Sequence, residues 1–327
     1  MSAFAEGTVH TADGLRLYFR DYDARDYDAR NQAAGDPEAG RSDPEGRDRA
    51  PPARLPVICL PGLTRNHRDF AALAERLAVR RRVICPDMRG RGNSDRDADP
   101  ANYNVLTETQ DVLRLMDLLQ LPRAAFIGSS RGGLSTMILP ALRPGVVAAA
   151  VLNDVGPRIE KAGLSRIVAT LSLSPASFAD WDAAAASVRD ANRAQFPRFG
   201  PADWQAFARC LMAEVDGRPV PDYDWTLIRT TQTAVSEEPP ELWDQFALLA
   251  DVPVLAIRGA LSDILSAETL TEMQRRMPTL RTLSLPDCGH CPFLTEPAAL
   301  AAIEALLDEA DARCTPISIP SAPPPNG

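Results

Sequence analysis

The sequence predicts an α/β protein: a mostly parallel sheet flanked by helices, with a helical cap inserted after one of its strands. Three observations carry that expectation. Short apolar runs bounded by turn residues alternate with longer amphipathic stretches, the pattern of strands joined by crossover helices. Several of those runs are continuously rich in Val, Ile and Leu, as strands buried on both faces require. The rhythm then breaks over 157–245, a stretch that holds Trp181, Trp204, Trp225 and Trp243, all four tryptophans of the chain, and it resumes at Val252.

In chain order, the runs that read as strands are Leu15 to Tyr22, Val57 to Leu60, Val83 to Cys85, Ala124 to Gly128, Val147 to Leu152, Val254 to Ile257 and Leu280 to Leu285. Helical periodicity falls near Phe70 to Val79, Val105 to Leu121, Gly132 to Leu142, Ala267 to Met277 and Pro297 to Ala312. Two segments add nothing to a core. The first begins with a tandem repeat, Asp21-Tyr-Asp-Ala-Arg25 copied as Asp26-Tyr-Asp-Ala-Arg30, and continues to Arg54 almost entirely in Gly, Pro, Asp, Glu, Arg and Ala. So little apolar surface cannot offset the entropy of ordering, which predicts a disordered inserted loop over 24–54. The second is a flexible tail over 315–327, ending Ser-Ala-Pro-Pro-Pro-Asn-Gly. The domain reading is a core of 1–156 and 246–314 with a cap over 157–245, preferred to a second independent helical domain there because the strand pattern resumes at Val252 as if interrupted.

Composition narrows the function classes. Apolar residues make up 45% and charged residues 24% of 327, ordinary values for a folded globular chain. The net charge is −9 and no Lys/Arg stripe stands out, which argues against a nucleic-acid partner. No window approaches about 18 consecutive apolar residues and no signal-like leader is visible, so neither a membrane span nor secretion is expected. Six cysteines are too few for a disulfide framework in a chain of this length. A cytoplasmic protein is the expectation, with its oligomeric state left open.

The sharpest motif is Phe126-Ile-Gly-Ser-Ser-Arg-Gly-Gly-Leu134, in which Gly128, Ser130 and Gly132 fit GxSxG between a predicted strand and a predicted helix. Such a turn holds a serine hydroxyl out above a sheet and makes Ser130 the candidate nucleophile. A serine needs a base, and histidine is the usual one. Of the three histidines, His10 falls in an N-terminal strand or turn and His67 near the start of a helix. His290, in the loop Asp287-Cys-Gly-His-Cys-Pro-Phe293 after the last strand, is the candidate. A carboxylate must orient its imidazole. Asp263, after the penultimate strand, is preferred, with Asp154, at the end of the strand following the nucleophile helix, as the alternative. Oxyanion donors are expected from the N–H of Leu63, in Pro61-Gly-Leu-Thr-Arg-Asn66, and that of Arg131, beside the nucleophile. The Arg131 side chain is left between a pair with Asp154 and an acidic substrate.

Other constellations are weaker. Cys288-Gly-His-Cys291 lacks the further ligands of a metal site, and the glycines at 128–133 match neither the GKS/GKT nor the GxGxxG nucleotide patterns. No cofactor and no metal are expected. Arg89-Gly-Arg-Gly-Asn-Ser-Asp95 reads as a structural turn in which Asp87, Arg89 and Asp95 form local pairs.

Taken together, these motifs resemble the α/β-hydrolase superfamily over the whole chain outside the inserted loop and the tail. Pro61-Gly62-Leu63 is similar to its oxyanion loop, with Pro61 where His is common. Asp87-Met-Arg-Gly-Arg-Gly-Asn-Ser-Asp95 is similar to its D-x-R-G-x-G-x-S segment, and the order Ser130, Asp263, His290 matches that of its triads. The resemblance implies an eight-stranded sheet with a cap after the sixth strand. Serine at the elbow sets the chain apart from the epoxide hydrolases and haloalkane dehalogenases, which carry Asp there. The expected activity is hydrolysis of a small to medium carboxylic ester or lactone through an acyl-enzyme on Ser130. Carbon–carbon bond hydrolysis of diketone-like compounds, acyl transfer to another acceptor and a noncatalytic ligand-binding role are the alternatives. The cap tryptophans are candidates for lining the pocket, with core packing the expected use of most of them.

Overall fold

A computed structural model describes residues 4–22, 54–236 and 239–314. The expected disordered loop, but for Arg54, and the expected tail lie outside these residues. The sheet has eight strands: β1 (Ala5–His10), β2 (Arg16–Tyr22), β3 (Val57–Leu60), β4 (Val83–Pro86), β5 (Ala124–Ser129), β6 (Val147–Asn153), β9 (Val254–Gly259) and β10 (Arg281–Leu285). Their spatial order is β1-β2-β4-β3-β5-β6-β9-β10. β1 and β2 pair antiparallel, β2 joins β4 antiparallel, and the remaining neighbours are parallel.

Alternation along the central strands explains why they read as continuous apolar runs. Ile58 and Leu60 of β3 enter one core cluster with Phe126 and Leu152, while Val57 and Cys59 enter a second with Ile127 and Val151. Helices cover both faces. On the first lie α2 (Val105–Leu118), α3 (Arg131–Leu142) and α9 (Ala267–Arg276), contributing Met116, Met137 and Met273. On the second lie α1 (Ala71–Ala78) and α10 (Pro297–Arg313), contributing Leu73, Leu77, Ile303 and Leu307. Each such fully buried aliphatic side chain contributes about 1.5–3 kcal/mol relative to exposure.

β6 pairs directly with β9, so everything between them leaves the sheet and returns to it. This stretch contains α4 (Lys161–Ser172), α5 (Trp181–Asn192), α6 (Pro201–Leu211), α7 (Thr226–Ser236) and α8 (Trp243–Ala247). It also contains a feature the helical expectation omitted, an antiparallel hairpin of β7 (Met212–Val215) and β8 (Arg218–Pro221). Its signal was present: Asp216 and Gly217 have φ of 50° and 74°, the two positive values of a type I′ turn, for which Asp-Gly is a preferred pair. The stretch has its own core of Phe178, Val188, Phe196, Trp204 and Phe207. Its last helix does not belong to that core, since Trp243 and Phe246 pack with the cluster under α3.

Candidate active site

Ser130 sits between β5 and α3 with φ 51° and ψ −117°, a left-handed backbone that costs a non-glycine residue roughly 1–3 kcal/mol. The flanking glycines explain how the turn closes. A Cβ on Gly132 would lie 2.1 Å from the carbonyl oxygen of Leu60, and one on Gly128 would lie 2.5 Å from that of Gly132. The Ser130 N–H donates to the Asn153 carbonyl at 3.0 Å, which anchors the elbow to β6. The hydroxyl projects toward the loop after β10, and His290 Nε2 lies 2.8 Å from Ser130 Oγ.

The carboxylate on the other ring nitrogen is Asp154, with Nδ1 2.7 Å from Oδ2. This corrects the preference for Asp263. Asp154 follows β6 directly, in a tight turn at φ 56°, and β6 lies beside the nucleophile strand, with Asn153 in register with Ser129. It is fully buried and accepts two further hydrogen bonds, from the Gly259 N–H at 2.7 Å and the Ser262 hydroxyl at 2.5 Å. Asp263 lies only four positions beyond β9, yet its carboxylate turns to the insertion and pairs with Arg166 of α4 at 2.9 Å. Partial burial raises the Asp263 pKa, but the hydrogen bonds and charge of Arg166 take it below the usual carboxylate value. It is a half-exposed ion-pair member with no contact to the imidazole.

Two residues that the sequence did not single out hold this arrangement. Gln195, from the insertion, accepts the backbone N–H of His290 at 2.6 Å through its side-chain oxygen. Asn153 donates to Ser129 Oγ at 2.8 Å and to the Pro292 carbonyl at 2.9 Å, tying the elbow to the histidine loop. Neither carries a motif, and only the folded chain brings them to the site.

The turn at Gly62 lies against the elbow: a Cβ there would be 3.6 Å from that of Ser130. Leu63, Ser130 and Arg131 line one cavity. Of the two readings of the Arg131 side chain, the pair with Asp154 is not formed, while the residue lines the cavity where a substrate would lie. Its guanidinium meets Glu108 at 2.7 Å and the Tyr103 carbonyl at 3.0 Å. The same buried Glu108 takes Arg91 at 2.7 Å, and Arg91 in turn donates to the Leu63 carbonyl at 2.7 Å. Burial alone would raise the Glu108 pKa, but the two guanidiniums bring it below the ordinary value, so the centre of the clamp stays ionised. One carboxylate thereby couples the loop of Leu63 to the residue after the nucleophile.

The remaining motifs resolve into structure. His67 is buried and bonded through Nδ1 to Asp87 at 2.8 Å. Asp87, Arg89 and Asp95 do not pair with one another. Arg89 bonds Asp111 and Asp13, and Asp95 bonds Arg16. Burial pushes the Cys291 thiol up to about 12, and burial with Glu296 nearby pushes Cys288 to about 11. Both thiols are thus held protonated at neutral pH, which makes them weak nucleophiles. None of the four tryptophans lines the cavities at Ser130, whose aromatic walls are Phe178, Phe207, Tyr223 and Tyr103.

A strained serine between a strand and a helix thus has its hydroxyl on a histidine that is bonded to a buried aspartate, all three at one edge of a mostly parallel sheet. A family model described as alpha/beta hydrolase fold matches residues 56–297, and the chain belongs to that family. It is accordingly a hydrolase. It is 35% identical over 255 residues to a 3-hydroxybutyrate-oligomer hydrolase of Cupriavidus necator, covering 75% of this chain and 85% of that one. It is 26% identical to the esterase YbfF of Escherichia coli, covering 78% of this chain and 93% of that protein. Among solved structures, an alpha/beta hydrolase from Novosphingobium aromaticivorans superposes with a TM-score of 0.81 at 38% identity, covering 94% of this chain and 99% of that one. No helix among the described residues is long and apolar enough to cross a membrane.

Proposed function

We propose that this protein hydrolyses small to medium carboxylic esters through an acyl-enzyme on Ser130, with Asp154 as the acid of the triad and 157–242 as a cap over the site. The observation that carries the reading is the unbroken relay from Ser130 Oγ to His290 Nε2 at 2.8 Å and from His290 Nδ1 to Asp154 at 2.7 Å. His290 takes the hydroxyl proton as Oγ attacks the carbonyl carbon. The tetrahedral oxyanion rests on the N–H groups of Leu63 and Arg131, and Asp154 stabilises the imidazolium. The proton then passes to the leaving alkoxide. Water, deprotonated by the same histidine, releases the acid and restores Ser130.

Two relatives support the ester reading, one named a 3-hydroxybutyrate-oligomer hydrolase and the other an esterase, while a third, named a 2-(acetamidomethylene)succinate hydrolase, keeps cleavage of another bond as the alternative. A short oligoester of hydroxy acids, or the corresponding lactone, is the substrate class we favour. Intact-mass analysis after fluorophosphonate treatment tests the nucleophile. One adduct on the native chain and none on Ser130→Ala is expected, together with turnover of hydroxyacid oligoesters that the variant lacks. An adduct that survives Ser130→Ala refutes the mechanism.

A further inference from the structure

Among the described residues, two cavities open on Ser130. The first, of about 400 Å³, is lined by His290, Thr64, Ser187, Asn192 and Tyr223. The second, of about 430 Å³, is lined by Arg131, Leu134, Ile138, Val155 and Leu242. Ser130, Leu63 and Ile167 line both, and each cavity alone falls in the size range that holds a small organic ligand. A single face of α4 runs along the pair. Leu164 lines the second cavity, Ile167 both, and Thr170 and Leu171 the first. These positions recur at the three- and four-residue spacing that stacks side chains on one side of a helix. At 1.5 Å per residue, the face from Leu164 to Leu171 spans about 10 Å across the nucleophile.

The two cavities also differ in which catalytic group they contain, and that difference has a direction. The histidine that accepts the Ser130 proton must deliver it to the oxygen that leaves, so the alcohol half of the substrate has to lie on the His290 side. The carbonyl oxygen faces the N–H groups of Leu63 and Arg131, and with the alcohol half beside His290 the acyl chain, the remaining substituent of the carbonyl carbon, takes the other cavity that opens on Ser130. His290 lines only the first cavity, and Arg131 only the second.

We propose that the cavity beside Arg131 is the acyl subsite, that the cavity beside His290 is the alcohol subsite, and that the preferred substrates are esters extended on both sides of the cleaved bond. This assignment rests on the Ser130 esterase reading and adds orientation and reach to it. An internal ester of a linear chain fits both arms at once. An acetyl ester leaves the second cavity empty, and a methyl ester leaves the first.

The test fills one cavity at a time from the same helix. Leu164→Trp narrows the acyl side and Thr170→Trp the alcohol side, with Ile138→Trp and Ser187→Trp as second variants on other elements in case either fails to fold. The kcat/KM values are measured for two series: p-nitrophenyl esters from acetate to decanoate, and butanoates of methanol, hexanol and decanol. The native chain is expected to prefer the longer member in both. Leu164→Trp should lose decanoate relative to acetate by 10-fold or more and keep its alcohol profile, and Thr170→Trp should do the reverse. A crossed pattern, or equal losses in both series, overturns the assignment. Fluorophosphonate labelling separates the two levels. If the native chain labels at Ser130 and turns over esters while the profiles fail to split, the assignment alone falls. If the native chain neither labels nor turns over any ester, the Ser130 reading falls and takes the assignment with it.

Discussion

Two histidines in this molecule are bound to aspartate through Nδ1 with nearly the same geometry, 2.7 Å for His290 with Asp154 and 2.8 Å for His67 with Asp87. Both aspartates are fully buried. The pairs differ in what surrounds them. The Asp87 carboxylate also accepts backbone N–H groups of His67 and Asn93, at 2.7 and 2.9 Å, so it knits two loops together. His67 is itself sealed, with its ring 5.2 Å from that of Tyr18, and it lines neither cavity at Ser130. His290 keeps its second nitrogen on a serine hydroxyl and its edge on an open cavity. A carboxylate–imidazole pair is therefore not in itself a site: its role follows from whether the other nitrogen meets a nucleophile where substrate can arrive.

The contrast is broken most severely at the proposed triad. Asp154→Asn should lower kcat by about 10³- to 10⁴-fold with little change in KM, as the loss of the group that sets the tautomer and orientation does elsewhere. Asp87→Ala should do the opposite. It removes the acceptor from several buried donors and is expected to cost about 2–4 kcal/mol of stability, read as a lowered urea midpoint. Turnover per folded molecule should stay within a few-fold. Equal kinetic damage from both variants would show that the two pairs are not functionally distinct.

Next in size is the Glu108 clamp. Removal of a single oxyanion donor costs about 10²- to 10³-fold, and a donor that is misplaced rather than lost should cost less. Glu108→Gln is thus expected to lower kcat by about 10-fold. The readout specific to positioning is the rate ratio of an oxoester to its thionoester, which reports on the oxyanion contact. A stability loss with an unchanged ratio would make the clamp merely structural. Asp263→Asn should have a smaller effect still. It breaks a partly exposed ion pair worth about 0–1 kcal/mol, and kcat/KM should remain within about 3-fold of the native value.

Legibility in the sequence followed the range of the interactions. Ser130 declared itself because its turn depends on glycines two positions away on either side, and the central strands did so because both faces of the sheet are covered there, whereas the largely exposed β1 carries no apolar run. The carboxylate was harder, since Asp154 and Asp263 both follow parallel strands that end at one edge of the sheet. What separates them is the φ of 56° at Asp154 and the attraction of Asp263 to Arg166, 97 positions away. Gln195 reaches His290 across 95 positions and Asn153 reaches Pro292 across 139, pairings that no local pattern encodes. The hairpin of β7 and β8 was within reach, since its Asp-Gly turn is local, but the flanking strands are short and Pro219 and Pro221 weaken their pattern.

The smallest effect is expected at Cys291, and it sharpens the comparison from the other side. This residue adjoins His290 and lines the same cavity, so proximity alone would make it a rival nucleophile. Burial, however, holds its thiol near 12, which leaves almost no thiolate at neutral pH, and the thiolate is the reactive form. Cys291→Ala should therefore leave kcat/KM within about 2-fold, with any change coming from the small cavity it opens. Iodoacetamide at pH 7.5 should leave esterase activity intact while a fluorophosphonate abolishes it. Inactivation by iodoacetamide that Cys291→Ala prevents would mean that the thiol is ionised in the site, and the contrast between a poised serine and a silent cysteine beside one histidine would fail.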